Sequence, residues 1–205
     1  LWSGRKHIVW NLDRQVNILS GVNGVGKSTI LNKLIAPLKF PNKGEIPHGN
    51  GVKIETVPED ATHIRFDVIR SIDRPLINAE IASQLDFKVA TELDLQIYTL
   101  QRRYLDYQVN IANRMIEALQ NGNAPEAQRL SAVKTKFQDM IDRLFAETGK
   151  TIIRTANEIR FLQIGEELTP YQLSSGEKQM LVILLTVLVE DNKPYLLLMD
   201  EPEVS

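Results

Sequence analysis

The chain has no cysteine, which excludes a disulfide scaffold, a thiolate metal site and thiol redox chemistry, and agrees with a cytoplasmic protein. It has little charge of either sign in excess. A total of 24 Lys and Arg against 26 Asp and Glu leaves a formal net charge of -2, so neither a highly basic nucleic-acid grip nor an acidic tail is expected, although local patches can hide in a balanced total. Long apolar runs are missing too. The longest, Met180 to Val189, falls well short of the roughly 20 residues a membrane-spanning helix needs, and Leu1-Trp2-Ser3-Gly4-Arg5 is not a signal peptide. What is present suffices for one α/β core with room for an insertion: 205 residues, 43% of them hydrophobic. The chain begins without methionine and stops at Ser205, directly after a motif that leads onward, so we expect it to belong to something longer.

Hydrophobic periodicity gives the order of elements. His7 to Trp10 and Val16 to Leu19 read as short strands, the second feeding a glycine-rich turn. A helix is expected from about Lys27 to Ile35, ending before Pro37. Val52 to Val57 and His63 to Ile69 alternate like the strands of an antiparallel hairpin. From Glu92 to Gln120, Leu93, Ile97, Leu100, Tyr104, Tyr107 and Ile111 fall at alternating spacings of four and three, a heptad seam on a long helix. Asn121-Gly122-Asn123-Ala124-Pro125 breaks it, and Leu130, Val133, Phe137, Met140 and Leu144 continue the spacing on a second helix. The two make either an antiparallel hairpin arm roughly 35 to 45 Å long or a packed pair within the core. Thr151 to Arg154 and Glu158 to Ile164 read as strands, followed by a polar loop and a helix from near Ser175 that is apolar almost all round and must be buried. Tyr195 to Met199 is a continuous apolar run of the kind found in central parallel strands. The domain reading is a split core, 1–90 with 150–205, carrying a helical insertion at 91–149.

Gly21-Val22-Asn23-Gly24-Val25-Gly26-Lys27-Ser28-Thr29 fits the phosphate-binding loop pattern, between a strand and a helix. Glycines let the backbone turn tightly so that N–H groups and the helix N-terminus point at phosphate oxygens. Asn23, Gly24, Val25 and Gly26 would line that loop, Lys27 would contact the β- and γ-phosphates of ATP, Ser28 would give its hydroxyl oxygen to Mg²⁺, and Thr29 would bond the α-phosphate. An ordinary strand-to-helix turn needs none of Gly24, Gly26 and Lys27 together. Asp200-Glu201, at the end of the last apolar run, has the form of a Walker B element: Asp200 would hold Mg²⁺ through water and Glu201 would polarise the attacking water as general base. Alone, two adjacent carboxylates could equally be a solvated turn; the loop upstream gives them meaning.

Leu173-Ser174-Ser175-Gly176-Glu177-Lys178-Gln179 resembles the signature of ATP-binding-cassette (ABC) ATPases. Ser174 with Glu177 is also a capping box that starts the next helix, and the two readings are compatible. A cap alone needs no glycine in the first turn, where glycine costs about 1 kcal/mol relative to alanine; close approach of backbone N–H groups to a phosphate does. The three motifs, in this order and separated by helices, resemble the ABC superfamily, which implies an α/β P-loop NTPase fold: an ABC ATPase head with an antiparallel β subdomain and an inserted helical hairpin. Ser175 and Glu177 stand where membrane transporters usually have glycine and glutamine. The nearest resemblance is therefore to soluble ATPases of the AAA15/AAA21 type and the overcoming-lysogenization-defect family, with SMC and RecF proteins more distant. That resemblance implies that Ser174 and Gly176 reach the nucleotide of an opposite subunit in a head-to-tail homodimer, and that the output is control of an effector such as a nuclease, in phage defence or DNA repair.

Other family parts are not fixed by the sequence. His7, His48 and His63 read as surface residues, Gln84 as either a glutamine-loop residue or an ordinary helical one, and Trp2 and Trp10 as core more readily than as adenine stackers. Thr91 to Lys150 carry eight basic and eight acidic residues, which favours a solvated or protein-binding face over a phosphate-binding one. Residues 1 to 75 carry eleven basic and seven acidic, a surplus of four, which leaves contact with nucleic acid indirect. Two rival classes stand beside the soluble ATPase: a nucleotide-binding subunit of a membrane transporter, and a module that holds ATP without hydrolysing it.

Overall fold

The computed structural model describes residues 7–39, 44–46, 48–49, 52–57, 59–70, 89–191 and 193–200; Trp2, Gln84 and Glu201 lie outside them. The fold is mixed α/β. In chain order the elements are α1 (Lys27–Lys39), β1 (His48–Gly49), β2 (Val52–Lys53), β3 (Phe66–Arg70), α2 (Glu92–Gln120), α3 (Ala124–Leu144), β4 (Thr151–Ile152), β5 (Phe161–Gln163), β6 (Glu166–Leu168), α4 (Ser175–Val189) and β7 (Leu196–Asp200). They separate into two compact units, Leu1–Val68 with Tyr195–Asp200 and Ile69–Pro194.

In the first unit, α1 has its apolar residues at Leu31, Leu34, Ile35 and Leu38, one stripe of a helix. The buried Ile35 and Leu38 pack with Phe66 of β3 and Leu198 of β7. The helix runs two residues past Pro37, beyond the expected stop. Proline removes an amide and crowds the preceding turn, but here it sits in the last turn, and Leu38, fully out of water, holds that turn down. The Gly44 amide then donates to the Leu38 carbonyl at 2.7 Å. Gly44 has φ +87°, and a Cβ there would stand 2.4 Å from the Ile64 carbonyl oxygen, so this position requires glycine.

Strand pairing differs from expectation. β2 pairs back with β1, antiparallel, with His48 opposite Lys53, while β3 pairs with β7. Burial still alternates from Val52 to Val57 after the ladder stops at Lys53, so the period of two reports a half-buried extended segment and not a hairpin strand. His7 to Trp10 and Val16 to Leu19 form no strand. Val9, Val16 and Ile18 are 76%, 72% and 83% exposed, and no neighbouring strand among the described residues takes up their backbone groups. A local turn joins the two segments instead: the Asp13 amide donates to Asn17 Oδ1 and the Gln15 amide to Asp13 Oδ1, each at 2.8 Å.

The second unit is built on α2. Its seam residues Leu93, Ile97, Leu100, Tyr104, Tyr107 and Ile111 are all buried, as the spacing predicts. The helix starts with a reciprocal capping box between Thr91 and Asp94. It ends at Asn121, Gly122 takes a left-handed φ of 71°, and Asn123 caps α3 by accepting from the Glu126 amide. α2 and α3 are antiparallel neighbours, with the rings of Tyr104 and Phe137 in tilted contact, centroids 5.9 Å apart, and Lys134 donating to Gln108 at 2.7 Å. The buried stripe of α3 runs through Leu130, Phe137 and Ile141, while Met140 and Leu144 are exposed. A straight helix drifts from a strict seven-residue repeat, so burial passes from Met140 to its neighbour Ile141.

α2 also packs along α4, so it lies between two helices. Leu181, Val182 and Leu185 of α4 are buried at 0–1% exposure, as an almost wholly apolar helix requires. Arg103 pairs with Glu190, and Arg114 with Asp191 at 2.8 Å. A small antiparallel sheet, β4-β5-β6, completes the unit. The stretch read as a polar loop supplies β6, whose Glu166, Glu167 and Leu168 pair with β5; two consecutive acids hide a solvent-facing edge strand from any hydrophobic pattern.

Candidate phosphate-binding and signature elements

The glycine-rich loop leads straight into α1 in the first unit. Gly24 and Gly26 have φ of 81° and 102°, conformations that side chains rarely adopt, and nothing lies within 4 Å of where a Gly24 Cβ would be. Asn23, Gly24 and Val25 are exposed. The loop is closed by the Val25 amide donating to the Val22 carbonyl at 3.3 Å. Lys27 opens α1 and folds back over the loop, its Nζ donating to the Gly21 carbonyl at 2.8 Å. The ammonium thus sits against the turn, with the Val22 carbonyl 3.4 Å away.

Ser28, one residue on, is half-buried and donates from Oγ to Asp200 Oδ1 at 2.9 Å. Asp200 ends β7, which sits beside β3 through the Leu196 amide and the Arg65 carbonyl at 2.8 Å. Of that strand's apolar run only Leu198 is buried, and Met199 is 38% exposed, so among the described residues it is not covered on both faces. A hydroxyl and a carboxylate so placed are a hard-oxygen donor pair that could hold Mg²⁺. No cluster of three or more His, Cys, Asp or Glu that could hold a metal forms among the described residues. Thr29 is exposed beside Ser28. Lys27, Ser28, Thr29 and Asp200 therefore share one end of the unit, whose exposed loop and open glycine fit a polyphosphate.

Ser174 and Gly176 belong to the second unit, at the start of α4. Ser174 is the N-cap: its Oγ accepts from the Glu177 amide at 3.3 Å and donates to Glu177 Oε2 at 3.0 Å, and its own amide donates to the same oxygen at 3.0 Å. The expected capping box is fully made. The other carboxylate oxygen, Oε1, takes Thr148 Oγ1 at 2.7 Å and Lys150 Nζ at 2.9 Å. Burial alone would raise the Glu177 pKa; the bonds from Lys150, Thr148 and Ser174 outweigh it and lower it to about 2. Next to it, Lys178 pairs with Asp94 of α2 at 2.8 Å with both side chains nearly dry. Sequence reasoning missed Lys150, Thr148 and Asp94. Lys150 lies 27 residues from its partner, and such a pairing has no local signature.

His7 and His63 are exposed and Trp10 is half-buried. No helix among the described residues is long and apolar enough to cross a membrane.

The family model described as ABC transporter matches residues 10–204. No curated protein and no solved structure matches the chain. A match over nearly the whole sequence, joined to a phosphate loop whose serine meets the strand-end aspartate, places the chain in that family: it is an ABC-type ATPase, built to bind and hydrolyse ATP.

Proposed function

We propose that this ATPase is a soluble head that closes head-to-tail with a second copy around two MgATP and reopens on hydrolysis, driving an effector of the nuclease or DNA-processing kind. The observation that carries the nucleotide chemistry is the bond between Ser28 and Asp200, which brings a loop hydroxyl and a strand-end carboxylate to one point. In this reading Asn23 to Gly26 wrap the phosphates with backbone N–H groups, Lys27 neutralises the β- and γ-oxygens, and Thr29 bonds the α-phosphate. Ser28 and Asp200 hold Mg²⁺, which supplies charge neutralisation of the phosphates when bound. Glu201 orients and deprotonates the attacking water. Ser174 and Gly176 of each copy face the nucleotide of the other, where N–H groups at the start of α4 meet the γ-phosphate.

The effector reading rests on Ser175 and Glu177 in the signature, which resemble the soluble members with DNA-linked partners; a cytoplasmic location goes with it. The test is steady-state phosphate release by the full chain. Wild type should turn over with Mg²⁺ and stop with chelator, and Glu201→Gln should bind ATP with turnover reduced at least ~100-fold. Undiminished turnover in Glu201→Gln would remove Glu201 from the mechanism.

A further inference from the structure

The signature helix carries a carboxylate in its first turn, where a phosphate-facing helix tip is least tolerant of negative charge. Glu177 occupies the third helical position after the cap Ser174, one residue past Gly176. Unneutralised, its charge would compete with phosphate at this tip; the oxygen that takes the amide and hydroxyl protons of Ser174 does so as part of the cap, with Lys150 already in place on the other oxygen. The adjacent cation offers no relief, because Lys178 points to Asp94. Relief comes from the turn before β4. Lys150 Nζ stands 2.9 Å from Glu177 Oε1 with both side chains only 11% exposed, and Thr148 Oγ1 reaches the same oxygen at 2.7 Å. That turn is fixed in its own right: Gln163 of β5 donates to the Thr148 carbonyl at 2.7 Å, and Gly149 takes a left-handed φ of 66°.

We propose that Lys150 is a positioning residue of the ATPase reaction, cancelling and anchoring the Glu177 carboxylate so that the start of α4 presents a net positive face to the phosphate of a partner copy. The inference rests on the role given to Ser174 and Gly176 above. It concerns a residue outside all three motifs, and it makes a glutamate in the signature dependent on a lysine elsewhere in the chain.

The experiment uses the full chain and reads the ATP concentration for half-maximal turnover, with the melting temperature recorded alongside. Lys150→Met should raise that concentration roughly tenfold, the scale of one partly screened unit charge, while Lys150→Arg stays near wild type. The decisive variant is Lys150→Met combined with Glu177→Gln, which removes the charge along with its neutraliser and should return the ATP requirement to within about threefold of wild type. An unchanged requirement in Lys150→Met overturns the proposal, as does a double variant no better than the single one, since Lys150 would then act only through stability. If Lys150→Met does not fold, Thr148→Val carries the same test with a smaller rise, again reversed by Glu177→Gln. Failure of the underlying reading looks different: Gly176→Asp would leave ATP-driven dimerisation intact, and both inferences would fall.

Discussion

Lys178 and Asp94 form an ion pair of 2.8 Å that joins the first turns of α4 and α2 with side chains only 10% and 3% exposed. The other oxygen of Asp94 accepts from the amides of Ala90 and Thr91, each at 3.1 Å, so one carboxylate caps its own helix and holds the start of the signature helix. Breaking such a pair from one side leaves a buried charge without its partner. Lys178→Met should therefore destabilise the chain by about 3 kcal/mol in urea unfolding, and Lys178→Met with Asp94→Asn by less than the sum of the two single changes.

Acid should act through Glu177. Its folded pKa, about 2, lies below the ordinary 4.5, so the unfolded state takes up a proton first as pH falls. The stabilisation is complete above about pH 4.5 and drains away as pH drops toward 2. The urea midpoint of the wild type should fall across that window, and the fall should be shallower in Glu177→Gln, which has no proton to gain. Parallel curves for the two proteins would contradict the assignment.

Tyr107 makes the opposite prediction. Its ring is buried in the α2 seam and its hydroxyl finds no hydrogen-bond partner among the described residues. Burial, with Asp191 nearby, raises the phenol pKa. Removing a desolvated, unsatisfied hydroxyl is neutral or favourable, so Tyr107→Phe should leave thermal stability unchanged or raise it by about 0.5 to 1 kcal/mol.

Gly44 offers a check on the first unit. A methyl group there meets a backbone oxygen at 2.4 Å and the φ of +87° is strained for any side chain. Gly44→Ala should cost about 2 to 4 kcal/mol in denaturant, and a cost below 1 kcal/mol would contradict the local geometry.

The helical part of this fold was legible because its signals are local. The seam from Leu93 to Ile111, the Asn121-Gly122-Asn123 break and the Ser174/Glu177 box each act within a few residues, and each forms as read. The glycine turn was legible as a local motif, and the sequence assigned Ser28 and Asp200 each to a metal ion; the direct bond between them, across 172 residues, emerged only from the fold. Strands fared worse because a strand is completed by a neighbour. Alternation at Val16 to Leu19 could not say whether a partner strand lies beside it, and the acids of β6 concealed an edge strand altogether. Lys150 was invisible for the same reason: its meaning lies in Glu177, and only folding brings them together.

The central claim is that two copies close around ATP. The measurement that tests it most directly is the mass in solution of the full-length Glu201→Gln chain, by light scattering, with and without MgATP. The account predicts a shift from one copy to two on adding ATP, abolished by Gly176→Asp. A mass unchanged at saturating nucleotide would contradict it.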